Sequence, residues 1–257
     1  MQQRWLIAVL ALIVIGAGLL TRRGAGPDLA AAHAATGSLA GKTIHVDAGH
    51  NGGNASHATE INRLVDAGGG VRKACDTTGT ETNDGKLTEY AFTLDVALRL
   101  RKRLEARGAR VVMTRTTSKG VGPCITRRAA IGNEAHADAA VSIHADGGPS
   151  TGRGFDVIQP GGVSGQSHAL IASSALLGRR VRNALVKEGY RTADYVGKDG
   201  LDRRTDLGGL NLSKVPKVLV ELGNMRNAAD AKLLESGTQR ARMADALATA
   251  IAVQVTH

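Results

Sequence analysis

Aromatic side chains are almost missing from this chain. Trp5, three tyrosines and two phenylalanines make up 2 % of its 257 residues. So few rings exclude a carbohydrate module that stacks sugars on Trp and Tyr, and a stacking platform for single-stranded nucleic acid. Proline is scarce as well, at five residues, and the 33 glycines follow no period, which excludes a collagen-like chain. No internal repeat, low-complexity tail or second domain is visible. Neither helix-turn-helix nor zinc-finger spacing occurs, so we expect no nucleic-acid partner despite a net charge of +10. With 42 % hydrophobic and 22 % charged residues, what remains is an α/β domain built from Ala, Val, Leu and Ile.

No apolar run is long enough to span a bilayer. The longest, Trp5 to Leu20, has 16 residues, and at about 1.5 Å per residue it falls short of a roughly 30 Å hydrocarbon core. Arg4 precedes it, Arg22 and Arg23 follow it, and Ala32-His33-Ala34 has the small-x-small form of a cleavage site. Residues 1–34 are therefore expected to be a secretory signal, with an uncleaved anchor as the alternative, and 35–257 the exported domain. Export would place the protein in the periplasm or cell wall. Residues 1–34 carry a net +2, so most of the positive charge lies in the exported part, where anionic cell-wall polymers would attract it.

Cys75 and Cys124 are the only cysteines, and neither belongs to a C-x-x-C pair. In an oxidising compartment they are expected to form one disulfide, worth about 4 kcal/mol by loop entropy. Two free buried thiols are the alternative.

Apolar periodicity predicts alternating strands and helices. Strands are expected at 43–47, 110–114, 139–143, 155–159 and 217–221. Helices are expected at 89–107, 125–135, 167–187, 228–234 and 238–253, with Arg127 and Arg128 exposed on the second. Residues 51–86 and 191–213 read as loops, the first too long to be a simple connection. The fold class is α/β, a single domain with a mixed, largely parallel sheet covered by helices on both faces.

Three strands end in groups a metal would choose: His50, His144 and Glu221. Sites in open α/β sheets form beyond the carboxyl ends of strands, where such side chains can meet. Glu89 opens the first long helix. No short pattern such as H-E-x-x-H links these residues, so spacing alone does not establish a metal site. His45 is expected to be buried, and His57, His136, His168 and His257 solvated. Asp47 either orients a ligand imidazole or shapes a turn. Lys198, Arg203 and Arg204 either hold substrate carboxylates or are simply solvated.

The words around these residues carry more. Val46-Asp47-Ala48-Gly49-His50-Asn51-Gly52-Gly53, Glu89 at a helix start, Val141-Ser142-Ile143-His144-Ala145-Asp146 and Val218-Leu219-Val220-Glu221-Leu222-Gly223 occur in that order. The chain resembles the zinc-dependent N-acetylmuramoyl-L-alanine amidases of the amidase-3 type over about residues 41–253. Further matches are Gly108 to Arg115, the helix containing Arg128, Asn133, Ala137 and Asp138, and the pair Asn227 and Asp230. The resemblance implies one Zn2+ per chain held by His50, Glu89 and His144, with Glu221 as the catalytic carboxylate. It implies a monomeric hydrolase whose partners are the peptidoglycan stem peptide and muramic acid. Three protein ligands leave a fourth position for water, as hydrolytic zinc requires. Two departures stand out: Ala48 replaces a proline common in the family, and the usual G-G-x-D-x-G continuation is missing. The long loop also offers Glu60 and Glu81 as alternative carboxylates, and Glu89 is favoured because it begins the amphipathic helix. A catalytically inactive or autoinhibited wall-binding regulator of the same fold, a zinc carboxypeptidase and a basic surface adaptor are the competing readings.

Overall fold

Strand β1 (Thr43–Ala48) shows how the two faces of the sheet come to differ. Successive residues of a strand point to opposite sides. Ile44, Val46 and Ala48 enter the apolar core, while His45 and Asp47 face the other way, and all six residues are buried. The computed structural model describes residues 39–257, all within one compact unit. The expected signal segment, 1–34, lies outside the described residues. Among those described, no helix is long and apolar enough to cross a membrane.

After β1 come a 3-10 turn (Asn54–Ser56), the short helix α1 (Ala58–Ile61), and β2 (Leu64–Asp66) and β3 (Arg72–Ala74), which pair as an antiparallel hairpin. Helix α2 (Glu89–Glu105), β4 (Arg110–Met113), α3 (Ile125–Glu134), β5 (Ala139–Asp146) and β6 (Asp156–Pro160) follow. The chain closes with α4 (His168–Lys187), β7 (Leu201–Arg204), α5 (Gly208–Asn211), β8 (Lys217–Asn224), α6 (Ala228–Glu235) and α7 (Gly237–Thr256). The main sheet has the order β4-β1-β5-β8-β6-β7, and only the β8–β6 pairing is antiparallel. It is the mixed, largely parallel sheet the pattern predicts.

One face is covered by α2, α4 and α7, with α7 packed against both of the others. Phe92, Val96, Leu100 and Leu104 of α2 recur every four residues and are wholly buried, as are Met243, Leu247 and Ile251 of α7. Each such side chain contributes about 1.5–3 kcal/mol by leaving water. The opposite face carries polar residues, His45, Asp47, Ser142, Lys217, His144 and Glu221, and its cover is thinner: α3 and the single turn α5.

Two predicted loops contain regular structure. The hairpin within 51–86 escapes periodicity because only Val65 of β2 is buried while Leu64 is exposed. Tertiary ties hold it instead: the Cys75–Cys124 disulfide, Asn211 Nδ2 donating to Ala67 O at 3.0 Å, and Lys73 Nζ on Asp206 Oδ2 at 2.8 Å. Within 191–213, Leu201-Asp202-Arg203-Arg204 pairs with β6 as the last strand in the sheet order. Charged residues suit a strand at a sheet edge, and they hide it from a hydrophobicity pattern.

Candidate metal centre

His50, Glu89 and His144 each offer one ligand atom, and these atoms lie within 4.8 Å of one another. Glu89 Oε1 stands 3.0 Å from His50 Nε2 and 3.0 Å from His144 Nδ1, and it also accepts the Ala145 amide at 3.2 Å. The other oxygen, Oε2, accepts the Thr80 amide at 3.0 Å. Glu89 is the first residue of α2, so the helix start aims its carboxylate at the ends of β1 and β5. The alternatives, Glu60 and Glu81, are exposed and lie outside this cluster.

Two glycines make the convergence sterically feasible. A Cβ at Gly49 would lie 2.3 Å from the His144 ring, and one at Gly79 would lie 2.9 Å from both Glu89 Oε2 and His50 Cδ2. Gly79 also has φ +77°, a backbone region that L side chains disfavour. His50 itself sits at φ 56°, a strained conformation for a non-glycine residue. The surroundings hold it there. Arg115 donates to the carbonyls of Ala48 and Gly49, Thr93 Oγ1 donates to Gly49 O, and Arg128 Nη2 donates to His50 O at 3.1 Å.

Arg128 is the anchor of this region, contrary to the sequence expectation of exposure. Arg127 is exposed and paired with Glu134, but Arg128 is buried, with Nη1 on Asp47 Oδ1 and Nη2 on Asp76 Oδ2, both at 2.9 Å. Consecutive helical residues point about 100° apart, so only one arginine of the pair can face β1. Asp47 is held from its other side by Ser142 Oγ and Lys217 Nζ. It therefore touches no ligand imidazole and acts through Arg128. The groups beside His50 Nδ1 are the Thr77 carbonyl and the Thr77 hydroxyl, each at 3.1 Å, with Asp76 Oδ1 at 3.6 Å. Sequence reading passed over Asp76 and Thr77, whose only signal was their place right after Cys75.

Electrostatics follow from burial and these contacts. Burial opposes charge on His50, but Glu89 and Asp76 outweigh it and raise its pKa to about 10. Burial also opposes charge on Glu89, and His50 and His144 overcome it, holding the carboxylate well below its ordinary range. Burial lowers His144, so its imidazole favours the neutral, ligating form. His45 is likewise pushed down, to about 4, mainly by burial and then by Lys217, and its Nε2 meets Thr114 Oγ1 at 3.0 Å. It is a neutral buried residue, as expected. His57, His136, His168 and His257 are exposed.

Glu221 is the direct cross-strand partner of His144 in the β5–β8 register. Its Oε2 is buried without a hydrogen-bond partner among the described residues. Burial raises its pKa well above the ordinary carboxylate value, and Glu89, Asp156 and Asp146 add to this. All four residues line one cavity of about 420 Å3. Arg204 also lines it but is engaged by Asp206, whereas Arg203 faces a different depression and Lys198 is exposed beyond both. The donor set fits a zinc ion: two imidazoles and one carboxylate converge, and a second carboxylate, Glu221, whose Oε2 has no partner among the described residues, stands beside them.

Asp156 lies opposite Glu221 in the antiparallel β6–β8 pair, and nothing in the sequence distinguished it from any strand-starting Asp. It is 1 % exposed, Oδ2 has no partner among the described residues, and burial with Asp146 and Asp202 raises its pKa to about 7. The folded protein therefore binds this proton at pH values where the unfolded chain, with a carboxyl pKa near 3.8, has released it. Stability falls as pH rises through that window and levels off above about pH 7. Asp156→Asn is expected to exceed wild type in stability by up to about 4 kcal/mol at pH 8 and to lose that advantage at pH 4. Urea unfolding at the two pH values checks this, and an advantage independent of pH would refute it.

An α/β domain with a two-histidine, one-carboxylate cluster and a separate carboxylate on the adjoining strand has the architecture of a hydrolase with a candidate metal site. The family model for N-acetylmuramoyl-L-alanine amidase (Amidase_3) matches residues 44–253, and the chain belongs to that family. It is 41 % identical over 228 residues, 89 % of its own length and 92 % of the relative's, to an N-acetylmuramoyl-L-alanine amidase of Mycobacterium tuberculosis. Among solved structures, the N-acetylmuramyl-L-alanine amidase Ami1 of Mycobacterium smegmatis superposes with a TM-score of 0.80 at 41 % identity, covering 85 % of this chain and 99 % of that one. The apo form of Ami1 from Mycobacterium abscessus gives 0.78 at 41 % identity, with 84 % and 99 % covered.

Proposed function

We propose that this amidase acts outside the cytoplasmic membrane with one zinc ion held by His50, Glu89 and His144, and that Glu221 is its catalytic carboxylate. The activity is the family's: hydrolysis of the amide joining N-acetylmuramic acid to the L-alanine of the peptidoglycan stem peptide. The observation that carries the zinc reading is the approach of the three ligand atoms to within 4.8 Å, next to the unpartnered Glu221 Oε2. When zinc is bound, its chemistry is that of a Lewis acid, giving a more acidic water and a polarised carbonyl.

The chain's own residues do the rest. Glu221 Oε2 accepts a proton from the attacking water and passes it to the amide nitrogen, which leaves as the amine of the stem peptide. The Thr77 carbonyl and Asp76 orient the His50 ring from behind through Nδ1, leaving Nε2 directed at the cluster. Ala145 N and Thr80 N fix the Glu89 carboxylate. The β2–β3 hairpin, tied to Asp206 and Asn211, brings Lys73 and Ala74 to the cavity wall. The competing reading of an inactive regulator requires loss of a ligand or of Glu221, and all four are in place.

Purified protein is expected to release stem peptide from a muramyl-peptide, to stop when a chelator removes the metal, and to recover with zinc. Activity that survives complete metal removal would sink the zinc assignment.

A further inference from the structure

A second depression, of about 780 Å3, is lined by β7 and α4. It is bordered by Gln159, the backbone of Gly161 and Gly162, His168, Arg179 and Arg203. It shares the edge strand β7 with the catalytic cavity: Arg204 lines that cavity, and Arg203, pointing to the opposite face, lines this groove. The β7 edge has no further strand beside it among the described residues. A linear polymer passing over that edge can therefore touch both.

The groove's charge is one-sided. No Asp or Glu lines it. Several other arginines are engaged by carboxylates, as in Arg99–Asp95, Arg101–Glu105, Arg191–Asp194, Arg204–Asp206 and Arg242–Glu188. Arg179 and Arg203 form no ion pair among the described residues, so their guanidinium groups are free for a ligand. The N-terminal end of α4 adds potential of the same sign. Guanidinium forks recognise planar or tetrahedral oxyanions through paired hydrogen bonds. No aromatic side chain lines the groove, so it lacks the stacking surface that single-stranded nucleic acid uses.

We propose that this groove is an accessory binding site for an acidic polysaccharide, gripped through its carboxylate or phosphodiester groups while the bond to be cut lies in the catalytic cavity. Identifying that polymer as cell-wall glycan rests on the amidase reading; the binding itself does not. The groove would thereby hold an insoluble substrate next to the active site.

The test compares wild type with Arg179→Glu/Arg203→Glu and with Lys102→Glu/Lys119→Glu, a control with the same charge change at exposed positions outside the groove. Co-sedimentation with purified insoluble cell wall is expected to weaken by on the order of tenfold or more in the groove variant and far less in the control. Hydrolysis of a short soluble muramyl-peptide, which reaches only the catalytic cavity, should be unchanged in both. Walls stripped of phosphodiesters and walls with amidated carboxylates separate the two anionic groups: the treatment that abolishes wild-type binding names the group. Equal weakening in groove and control variants, unchanged binding, or binding insensitive to both treatments would overturn the proposal. If the glutamates prevent folding, Arg179→Gln/Arg203→Gln is read on the same scale. Failure of wild type to cleave the short substrate would count against the amidase reading and leave the sedimentation result standing.

Discussion

Glu221→Gln is expected to lower hydrolysis of a muramyl-peptide by about 10²–10⁴-fold while zinc still binds with wild-type stoichiometry. Glutamine keeps the size and one oxygen of the side chain but cannot take a proton from water. Glu221 lies outside the three-residue ligand cluster, so the variant separates proton transfer from metal retention. The register places it beside His144, and its buried Oε2 has no competing partner among the described residues. Burial and the neighbouring carboxylates raise its pKa above the ordinary carboxylate value, so the ionised form, and with it the activity, is lost as pH falls. A pH–rate profile of wild type should show that acid limb. Substantial activity in Glu221→Gln at neutral pH would remove the residue from the mechanism.

Arg128→Ala should cost stability first and metal affinity with it. The guanidinium binds Asp47, Asp76 and the carbonyls of Ala48, His50 and Pro123 within a buried network. Removing it leaves Asp76 with only His50 and the Thr77 amide, and Asp47 with only Lys217 and Ser142. Breaking a buried pair in this way typically costs about 3–5 kcal/mol, because the remaining charge stays desolvated. The same change frees the His50 carbonyl and the Asp76 side of the His50 ring, a loss of ligand orientation that typically weakens metal binding by about 10–100-fold. Arg128→Lys should not rescue it, since one ammonium cannot reach acceptors spread along a fork. Urea unfolding and zinc titration of the surviving folded protein measure the two effects. A variant that unfolds at the wild-type urea midpoint would show that Arg128 is not the anchor described here.

Disulfide and network act on the same short segment. Cys75 begins the stretch Cys75 to Thr80, in which Asp76, Thr77, Gly79 and Thr80 each touch His50 or Glu89 or shape the space around them. Cys124 directly precedes α3, the helix that carries Arg128. The covalent link therefore joins the two elements that hold the His50 corner in its left-handed conformation.

Much of this was legible in the residues themselves. Period-two and period-3.6 patterns locate the main strands and long helices, because alternation and helical spacing are local properties of any buried face. His50, His144 and Glu221 are readable as site residues because the pattern predicts strand ends at each, although β5 and β8 run on to Asp146 and Asn224, and Glu89 because it opens an amphipathic helix. The cysteine pair is readable from its number and from the export-like N-terminus. Other features were settled only by contacts far apart in sequence. Nothing local tells which of Arg127 and Arg128 turns inward; Asp47 and Asp76 decide it. Asp156 reads like any other aspartate until the β6–β8 register sets it opposite Glu221. Strand β7 hides behind charges because an edge strand needs little apolar surface, and the hairpin forms because a disulfide and a few cross-chain bonds offset its missing core. Periodicity is written residue by residue. Burial of charge depends on its partner, and only the tertiary fold supplies that.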